Sequence, residues 1–479
     1  MCMKDLGDKD ATELASMVRR KEVSPGELLD LALESASAAQ EKVNCFSNIF
    51  EDAARKQIDA GLPDGPFSGV PFAVKDLGAR LKGLPITSGS RAFRDTVSDM
   101  DATLVERQKK AGLVIFGQTT SPEFGLTTST ESALYGKTRN PWNTEHTSGG
   151  SSGGASACVA SGVIPMAHAS DGGGSIRIPA ACTGLVGLKP SRGRVPMGPP
   201  ISENWFGLST NHCVARSVRD SATLLDVTHG QEPGARYIAP PPEGSFLDAV
   251  GREPGALKIA VWSTAPNGVK PDRDAQAGLD ATVKLLSALG HHVEEAGPTL
   301  NGEALGKGMM VMVSSFMAAV ADEREAHFGR KITEEDFEPV SLRFIELGRQ
   351  IPMSEVVKTN NAFCEAAWQM ERFMDEGGYD LILAPTLSRA PVKLGVLSLD
   401  PPDFDQYGVD ISSFAAWCPV FNQTGWPAIS LPLHWTDDGL PLGMMFGARL
   451  GKEELLYSIA GQIEQAAPWA DRRPPIWFG

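Results

Sequence analysis

Thr147-Ser-Gly-Gly-Ser-Ser-Gly-Gly-Ala-Ser156 opens a segment, residues 147–187, in which glycine and serine dominate. This composition alone is typical of a flexible linker. The residues that follow it are small or apolar, however, at 157–166 and again at 176–188. We therefore predict that the glycines make tight backbone turns inside a packed core.

Strand-like and helix-like patterns alternate on both sides of this segment. Residues 69–76 are predicted to form a strand that ends on Lys75 and Asp76, and residues 101–111 are predicted to form a helix. This alternation favours an α/β fold with one large domain. We expect a mixed, mostly parallel β-sheet flanked by helices on both faces.

The domain is predicted to span residues 1–479, and its parts differ in composition. We expect a catalytic core at about 65–230 and a connection rich in proline and glycine at about 230–255. The second half follows, and its helices at about 300–420 are expected to supply the substrate pocket.

Length and charge exclude several classes of protein. The chain has 479 residues, of which 42% are hydrophobic, so it can bury a large core. Its 44 basic and 59 acidic residues give a net charge of -15, and no basic run suited to nucleic acid occurs. We find no apolar run of about 18 residues and no signal-peptide pattern, which predicts a cytoplasmic protein without a membrane partner.

Metal and disulfide chemistry are not indicated. The seven cysteines are odd in number and scattered, without C-x-x-C spacing, so we predict reduced core residues. The eight histidines form no ligand pattern. We expect neither a metal nor an organic cofactor.

The glycine-rich segment is open to more than one chemical interpretation. A phosphate-binding loop would need a glycine where the chain has Glu131, so nucleotide binding is poorly supported. Gly149-Gly-Ser-Ser-Gly153 does fit the nucleophile-elbow pattern G-x-S-x-G, and His434 could then be the base. So short a pattern arises easily among glycines.

A third interpretation uses serine and lysine without histidine. A lysine can act as a base only where burial or a neighbouring cation keeps its amine neutral. Lys75, at the end of an apolar strand, is placed for this role. Three glycines precede Ser175, and consecutive glycines can direct several backbone N–H groups at one oxyanion.

Longer ordered motifs connect these residues. Residues 149–160, 169–180 and 182–190, together with 71–76 and the late stretch 421–432, closely resemble the amidase signature family. The resemblance covers essentially the whole chain. It implies a Ser-cisSer-Lys triad in which Ser175 is the nucleophile, Ser151 bridges from a cis peptide, and Lys75 is the general base.

The same resemblance implies supporting roles around the triad. The backbone N–H groups of Gly172, Gly173, Gly174 and Ser175 would form the oxyanion hole. Supporting residues, which brace the loop or neighbour the triad, are Asp171, Arg177 and Ser152. Side chains that we predict for the substrate pocket are Met309, Met312, Phe316, Trp205, Phe206, Trp417 and Cys418.

The implied function is hydrolysis of carboxylic amides through an acyl-enzyme. The second half also resembles hydrolases of cyclic nylon-oligomer amides, so we expect apolar, aryl or oligomeric amides, with carbamates and esters as further substrates. One alternative is the glutaminase subunit of a tRNA-dependent amidotransferase, although Ile178 stands where that subunit usually has glutamine. Another is a non-catalytic binding protein. We expect a small-molecule substrate and a monomer or homodimer.

Overall fold

The computed structural model describes residues 6–479. Their helices α1 to α15 are, in chain order, Ala11–Arg19, Pro25–Val43, Glu51–Asp59, Thr103–Lys110, Gly153–Ala160, Arg177–Thr183, Val218–Thr228, Phe246–Val250, Arg273–Ala288, Gly302–Phe328, Pro339–Gly348, Met353–Gly377, Phe404–Phe414, Cys418–Thr424 and Glu453–Ala466. Strands β1 to β15 are Phe46–Ile49, Pro71–Lys75, Val114–Thr119, Glu131–Ser132, Gly136–Lys137, Arg139–Asn140, Asn143–Thr147, Met166–Asp171, Val186–Lys189, Thr210–Ala215, Lys258–Val261, His292–Glu295, Leu381–Pro385, Ala428–Trp435 and Pro441–Gly447.

Eight strands form the central sheet, in the order β12-β11-β13-β15-β14-β9-β10-β8. Strands from both halves of the chain share it, and the predicted mixed α/β fold is confirmed. β11 pairs in parallel with β12 and β13, whereas the other neighbouring pairs are antiparallel. Antiparallel pairs are therefore more frequent than the alternating sequence pattern predicts. One of them, β14 with β15, is a hairpin without a helical crossover.

Helices cover both faces of this sheet. Consecutive residues of a strand point to opposite faces of the sheet. Two neighbouring residues of β15 show which helix packs against each face. A Cβ on Gly443 would lie 2.8 Å from the Cβ of Ala181 in α6, whereas a Cβ on Gly278 in α9 would lie 2.5 Å from Cε of the neighbouring Met444. Both helices thus pack close to the sheet, from opposite sides.

A second sheet of three strands, in the order β1-β3-β2, lies beside β8. Lys75 is the last residue of β2, and its backbone N–H donates to Nδ1 of His168 in β8 at 3.2 Å. This contact joins the two sheets. It also brings the end of β2 next to the end of β8, where the glycine loop begins.

Local sequence signals for helix ends hold well. Ser24 caps α2 and Glu27 returns the hydrogen bond to complete a capping box. The prediction that the cysteines are reduced core residues agrees with the structure at five positions, where they are free and buried: Cys45, Cys158, Cys182, Cys213 and Cys418. It is wrong for Cys364, which is exposed because it lies on the outer side of the amphipathic helix α12. Cys2 lies outside the described residues.

The helix α10 is long and apolar enough to cross a membrane by length and composition alone. Half of its most apolar window is buried inside the fold, against α11 and α12 among others. Its apolar character is therefore explained by packing and by the cavity that it lines.

Two buried carboxyl groups meet where α11 begins. The backbone N–H of Glu338 donates to Oε2 of Glu123 at 2.8 Å, and Oε1 of Glu338 accepts from the N–H of Ala133 at 3.1 Å. Burial raises the pKa of Glu338 to about 7, and the charge of Glu123 adds to the shift. Burial likewise raises the pKa of Glu123.

This pair is expected to make stability depend on pH. Because the folded pKa of Glu338 exceeds its ordinary value of 4.5, the free energy of unfolding should fall as pH rises from about 4.5 to about 7 and then level off. The loss should be up to about 3 kcal/mol. Glu338→Gln should raise the free energy of unfolding by about 1 to 3 kcal/mol near pH 8 and by less than about 0.5 kcal/mol near pH 4.5. Urea unfolding at both pH values measures this.

Glu346→Gln is the matched control, because Glu346 lies on the exposed side of the same helix. It should change the free energy of unfolding equally little at both pH values. A gain for Glu338→Gln that is the same at low and high pH would contradict a titrating Glu338.

Candidate active site

Lys75 is fully buried at the end of β2. Its Nζ donates to Oγ of Ser151 at 2.7 Å and to Oγ of Ser170 at 3.0 Å. Burial lowers the pKa of Lys75 to about 7, although the carboxylates of Asp171 and Asp76 oppose the shift. A large fraction of the amine is therefore neutral at neutral pH, as a lysine base requires.

Ser151 lies just before α5 and is 2% exposed. The Gly150–Ser151 peptide bond is cis, as the family resemblance implies. The chain is crowded here: a Cβ on Gly150 would lie 2.7 Å from the backbone nitrogen of Ser129. Glycine at this position lets the backbone of Ser151 approach the loop that carries Ser129.

Ser175 lies in the turn between β8 and α6 and is 9% exposed. It lines two cavities, a large apolar one and a small one of about 20 Å³, which is enough for about one water molecule. Ser151 and Ser170 line the small cavity with it. Within residues 6–479, no direct hydrogen bond joins Ser151 to Ser175. Of the three predicted catalytic residues, Lys75 and Ser151 are therefore hydrogen-bonded to each other. The hydroxyl of Ser175 is separated from them by the small cavity.

The glycine loop offers fewer free donors than predicted. The N–H of Gly174, which was predicted for the oxyanion hole, donates instead to Oδ1 of Asp171 at 2.7 Å. In the described part of the chain, the N–H groups of Gly172, Gly173 and Ser175 have no such partner. Gly174 has a φ of 131°, and a Cβ there would lie 2.6 Å from Ile178, so its task is to let the loop turn.

Asp171 and Arg177 form a buried ion pair that holds this loop. Nε of Arg177 lies 3.0 Å from Oδ2 of Asp171. Burial alone would raise the pKa of Asp171, but the charge and hydrogen bonds of Arg177 hold it at about 2. Asn422 completes the cluster: it accepts from Arg177 at 2.7 Å and donates to Asp171 at 2.8 Å. An ionised carboxylate and a charged guanidinium therefore brace the loop at neutral pH.

Sequence reasoning missed Ser170. It stands two residues after His168 on β8, and alternate residues of a strand share a face, so both contact Lys75. This alternation is the signal that could have found it. Ser152 is buried beside it: its Oγ donates to the carbonyl of Ser170 at 3.2 Å, and Ser152 lines neither cavity.

Histidine does not supply a base near these residues. Burial and then the charge of Lys75 lower the pKa of His168 to about 3, so the ring is neutral. Its Nδ1 accepts from Lys75, and its Nε2 pairs with Asn211 at 3.3 Å. His434, the base that the elbow pattern would need, packs in β14 against Gly278 of α9.

The large cavity has a volume of about 550 Å³, and most of its lining residues belong to the second half of the chain. Met309 and Trp205 line it as predicted. Met309 approaches Gly173, and Trp205 covers Gly172 and borders the small cavity as well. Residues that line it without having been predicted include Leu305, Met310, Val313, Val340, Arg343, Phe344, Phe404, Tyr407, Ile411 and Gln423.

The other residues predicted for the pocket do not line this cavity. Met312 lies on α10 but is buried in the main core. Phe316 shares the helical face of Met309 but lies beyond Val313, the last residue of α10 that lines the cavity. Trp417 and Cys418 are completely buried in the main core, and Phe206 is 41% exposed at the surface.

Comparison with known proteins agrees with this fold. A family model described as Amidase matches residues 27–457. A 6-aminohexanoate-cyclic-dimer hydrolase of Paenarthrobacter ureafaciens is 36% identical over 490 positions, which cover 98% of this chain and 97% of that protein. The solved structure of a 6-aminohexanoate cyclic dimer hydrolase has a TM-score of 0.93 at 35% identity and covers 98% of this chain and 99% of that one. A bacterial aryl acylamidase has a TM-score of 0.85 at 28% identity, with 97% of each chain covered.

Fold, sequence and relatives together define a hydrolase that acts on amides. The chain belongs to the amidase signature family, and the match extends over most of its length.

Proposed function

We propose that this enzyme hydrolyses carboxylic amides with Ser175 as nucleophile, Ser151 as proton bridge and Lys75 as general base. The observation that carries the proposal is the state of Lys75. Its amine is fully buried, has a pKa of about 7 and lies 2.7 Å from Oγ of Ser151. A buried lysine without a carboxylate partner on its amine is suited to accept a proton.

In the first half of the reaction, Ser175 attacks the carbonyl carbon of the substrate. Its proton passes to Ser151, whose own proton passes to the neutral amine of Lys75. The attack needs Ser151 and Ser175 to close the small cavity between them when substrate binds, and catalytic hydrogen bonds often tighten in this way. The free N–H groups of Gly172, Gly173 and Ser175 then stabilise the oxyanion.

In the second half, Lys75 returns the proton through Ser151 to the departing nitrogen. Protonation of the leaving group is essential for amides, because amines leave poorly unless they are protonated. The acyl-enzyme that remains is hydrolysed by water along the same proton path. The ion pair of Asp171 and Arg177 keeps the loop in place through both halves.

The substrates proposed are apolar, aryl or oligomeric amides, including nylon oligomers, with carbamates and esters as further substrates. The large cavity supports this class, because methionine, leucine, valine and phenylalanine side chains dominate its wall. The name of the relative from Paenarthrobacter ureafaciens, a cyclic-dimer hydrolase, is consistent with it.

Two alternatives from the sequence have weaker support. A glutaminase subunit would hold a polar side chain of its substrate, but Ile178 contributes an apolar surface to the cavity. A non-catalytic binding protein would have no need of a lysine buried without a carboxylate partner on its amine. We further propose that the enzyme works in the cytoplasm, as a monomer or homodimer, on small molecules.

A fluorophosphonate probe followed by peptide mapping tests the proposed nucleophile. Labelling of Ser175 is the expected result, whereas labelling of Ser151 or Ser152 would favour the elbow interpretation, and no labelling would favour a binding protein. A hydrolysis screen over aliphatic amides, aryl amides, nylon oligomers, carbamates, esters and glutamine then defines the substrate. Turnover of glutamine alone would overturn the proposed substrate class.

A further inference from the structure

Among residues 6–479, a single charged residue lies in the wall of the large cavity, Arg343 of α11. The other lining side chains are apolar or uncharged, and α10, α11 and α13 contribute about half of them. A charged side chain in an apolar wall has no desolvation penalty while its charged end remains hydrated. Arg343 is exposed to solvent at the mouth of the cavity. Of the described residues that line the cavity, it is the one whose charge can distinguish a charged substrate from a neutral one.

Arg343 is also free to bind an anion. Within residues 6–479, no carboxylate oxygen lies within 4.0 Å of its guanidinium nitrogens. The arginine at the end of the same helix differs, since Arg349 pairs with Asp322 at 3.0 Å and with Glu325 at 3.1 Å. The guanidinium of Arg343 lies over the ring of Phe404 at 5.1 Å, which orients it while its N–H donors stay available.

The two cavities beside Ser175 indicate which part of a substrate meets this arginine. If the proposed function is right, the leaving nitrogen must face Ser151, because its proton arrives from there. Ser151 lines the small cavity and not the large one. The acyl part of the substrate therefore extends from Ser175 along the large cavity, toward its mouth.

We infer that Arg343 selects amides whose acyl chain is apolar and ends in a carboxylate. Such acyl groups are those of monoamides of dicarboxylic acids. The methylene chain would lie along the apolar wall, and the carboxylate would accept hydrogen bonds from Arg343, which binds carboxylates in a fork-like geometry. This inference rests on the proposed function and adds a substrate class to it.

Matched 4-nitroanilides test the inference on the intact enzyme. The acids are succinic, adipic and sebacic acid as monoamides, each compared with butyric, hexanoic or decanoic acid of the same length. For at least one chain length, Arg343→Gln is expected to lower kcat/KM for the carboxylated substrate about fivefold to tenfold, mainly through KM. For the neutral substrate of the same length, kcat/KM should change less than about twofold. High salt should weaken the wild-type preference in the same direction.

Two further variants separate charge at this position from charge in general. Arg343→Lys should keep part of the preference, because it keeps the charge and loses the fork. Arg349→Gln should leave it unchanged, since Arg349 does not line the cavity. Equal effects of Arg343→Gln on both members of every pair, or no effect on any, would overturn the inference.

Failure of the proposed function gives a different result. In that case wild type hydrolyses neither member of any pair, and Ser175 remains unlabelled by the fluorophosphonate. Calorimetric binding of the adipic monoanilide and the hexanoic anilide then decides about Arg343. Weaker binding of the carboxylated compound alone to Arg343→Gln supports the inference, and unchanged binding overturns it.

Discussion

Ser175→Ala is expected to lower kcat for amide hydrolysis by at least about 10⁴-fold, because the attacking oxygen is removed. Ser175 is the hydroxyl that lines both cavities and directly follows the glycine loop. KM should change much less, since the wall of the large cavity stays intact. Initial rates on one good aryl amide, corrected by active-site titration, measure the loss.

Ser152→Ala is the matched control for this prediction. Ser152 is buried in the same glycine-rich region, but its Oγ is bonded to the backbone of Ser170. It should retain kcat within about tenfold of wild type. An alanine variant of Ser175 with more than about 1% of the activity, or an equal loss in Ser152→Ala, would contradict the assignment of the nucleophile.

Lys75→Ala is expected to lower kcat/KM by at least about 10²-fold, the usual contribution of a general base. The pH profile gives a second measure. Only the neutral amine accepts a proton, and the pKa of Lys75 is about 7. Wild-type kcat/KM should therefore rise with pH through about 7 and level off above it, and Lys75→Ala should lose this step.

Ser170→Ala provides the comparison, because it keeps the amine and its contact with Ser151 but removes the hydrogen bond of 3.0 Å. A loss of about tenfold is expected, with a step still present in the pH profile. If the step near pH 7 survived in Lys75→Ala, another group would be the base.

Much of the site could be predicted from the sequence, because its parts lie in short ordered motifs. Lys75 ends an apolar strand, and Ser175 follows three glycines; both patterns are local, and the structure brings them to the same place. Asp171 and Arg177 are six residues apart in the chain and pair across one turn. Local patterns of this kind can be recognised without knowing how distant segments of the chain fold.

The remaining details depend on contacts between distant segments. Whether the N–H of Gly174 is free depends on the rotamer of Asp171, which Arg177 and Asn422 determine together. Which of the predicted pocket residues line the cavity depends on distant contacts as well. Apolar residues such as Trp417 and Cys418 are equally suited to core and cavity, and only their packing in the main core decides between them.

The contact of Asn422 with Asp171 has a consequence for the timing of enzyme maturation. The two residues are 251 positions apart, so the nucleophile loop emerges from the ribosome long before its brace. At about 5 to 20 residues per second, this delay is roughly 10 to 50 s. The nascent polypeptide should thus acquire activity only near the end of translation, and fragments released before residue 422 should be inert even though they contain all three proposed catalytic side chains.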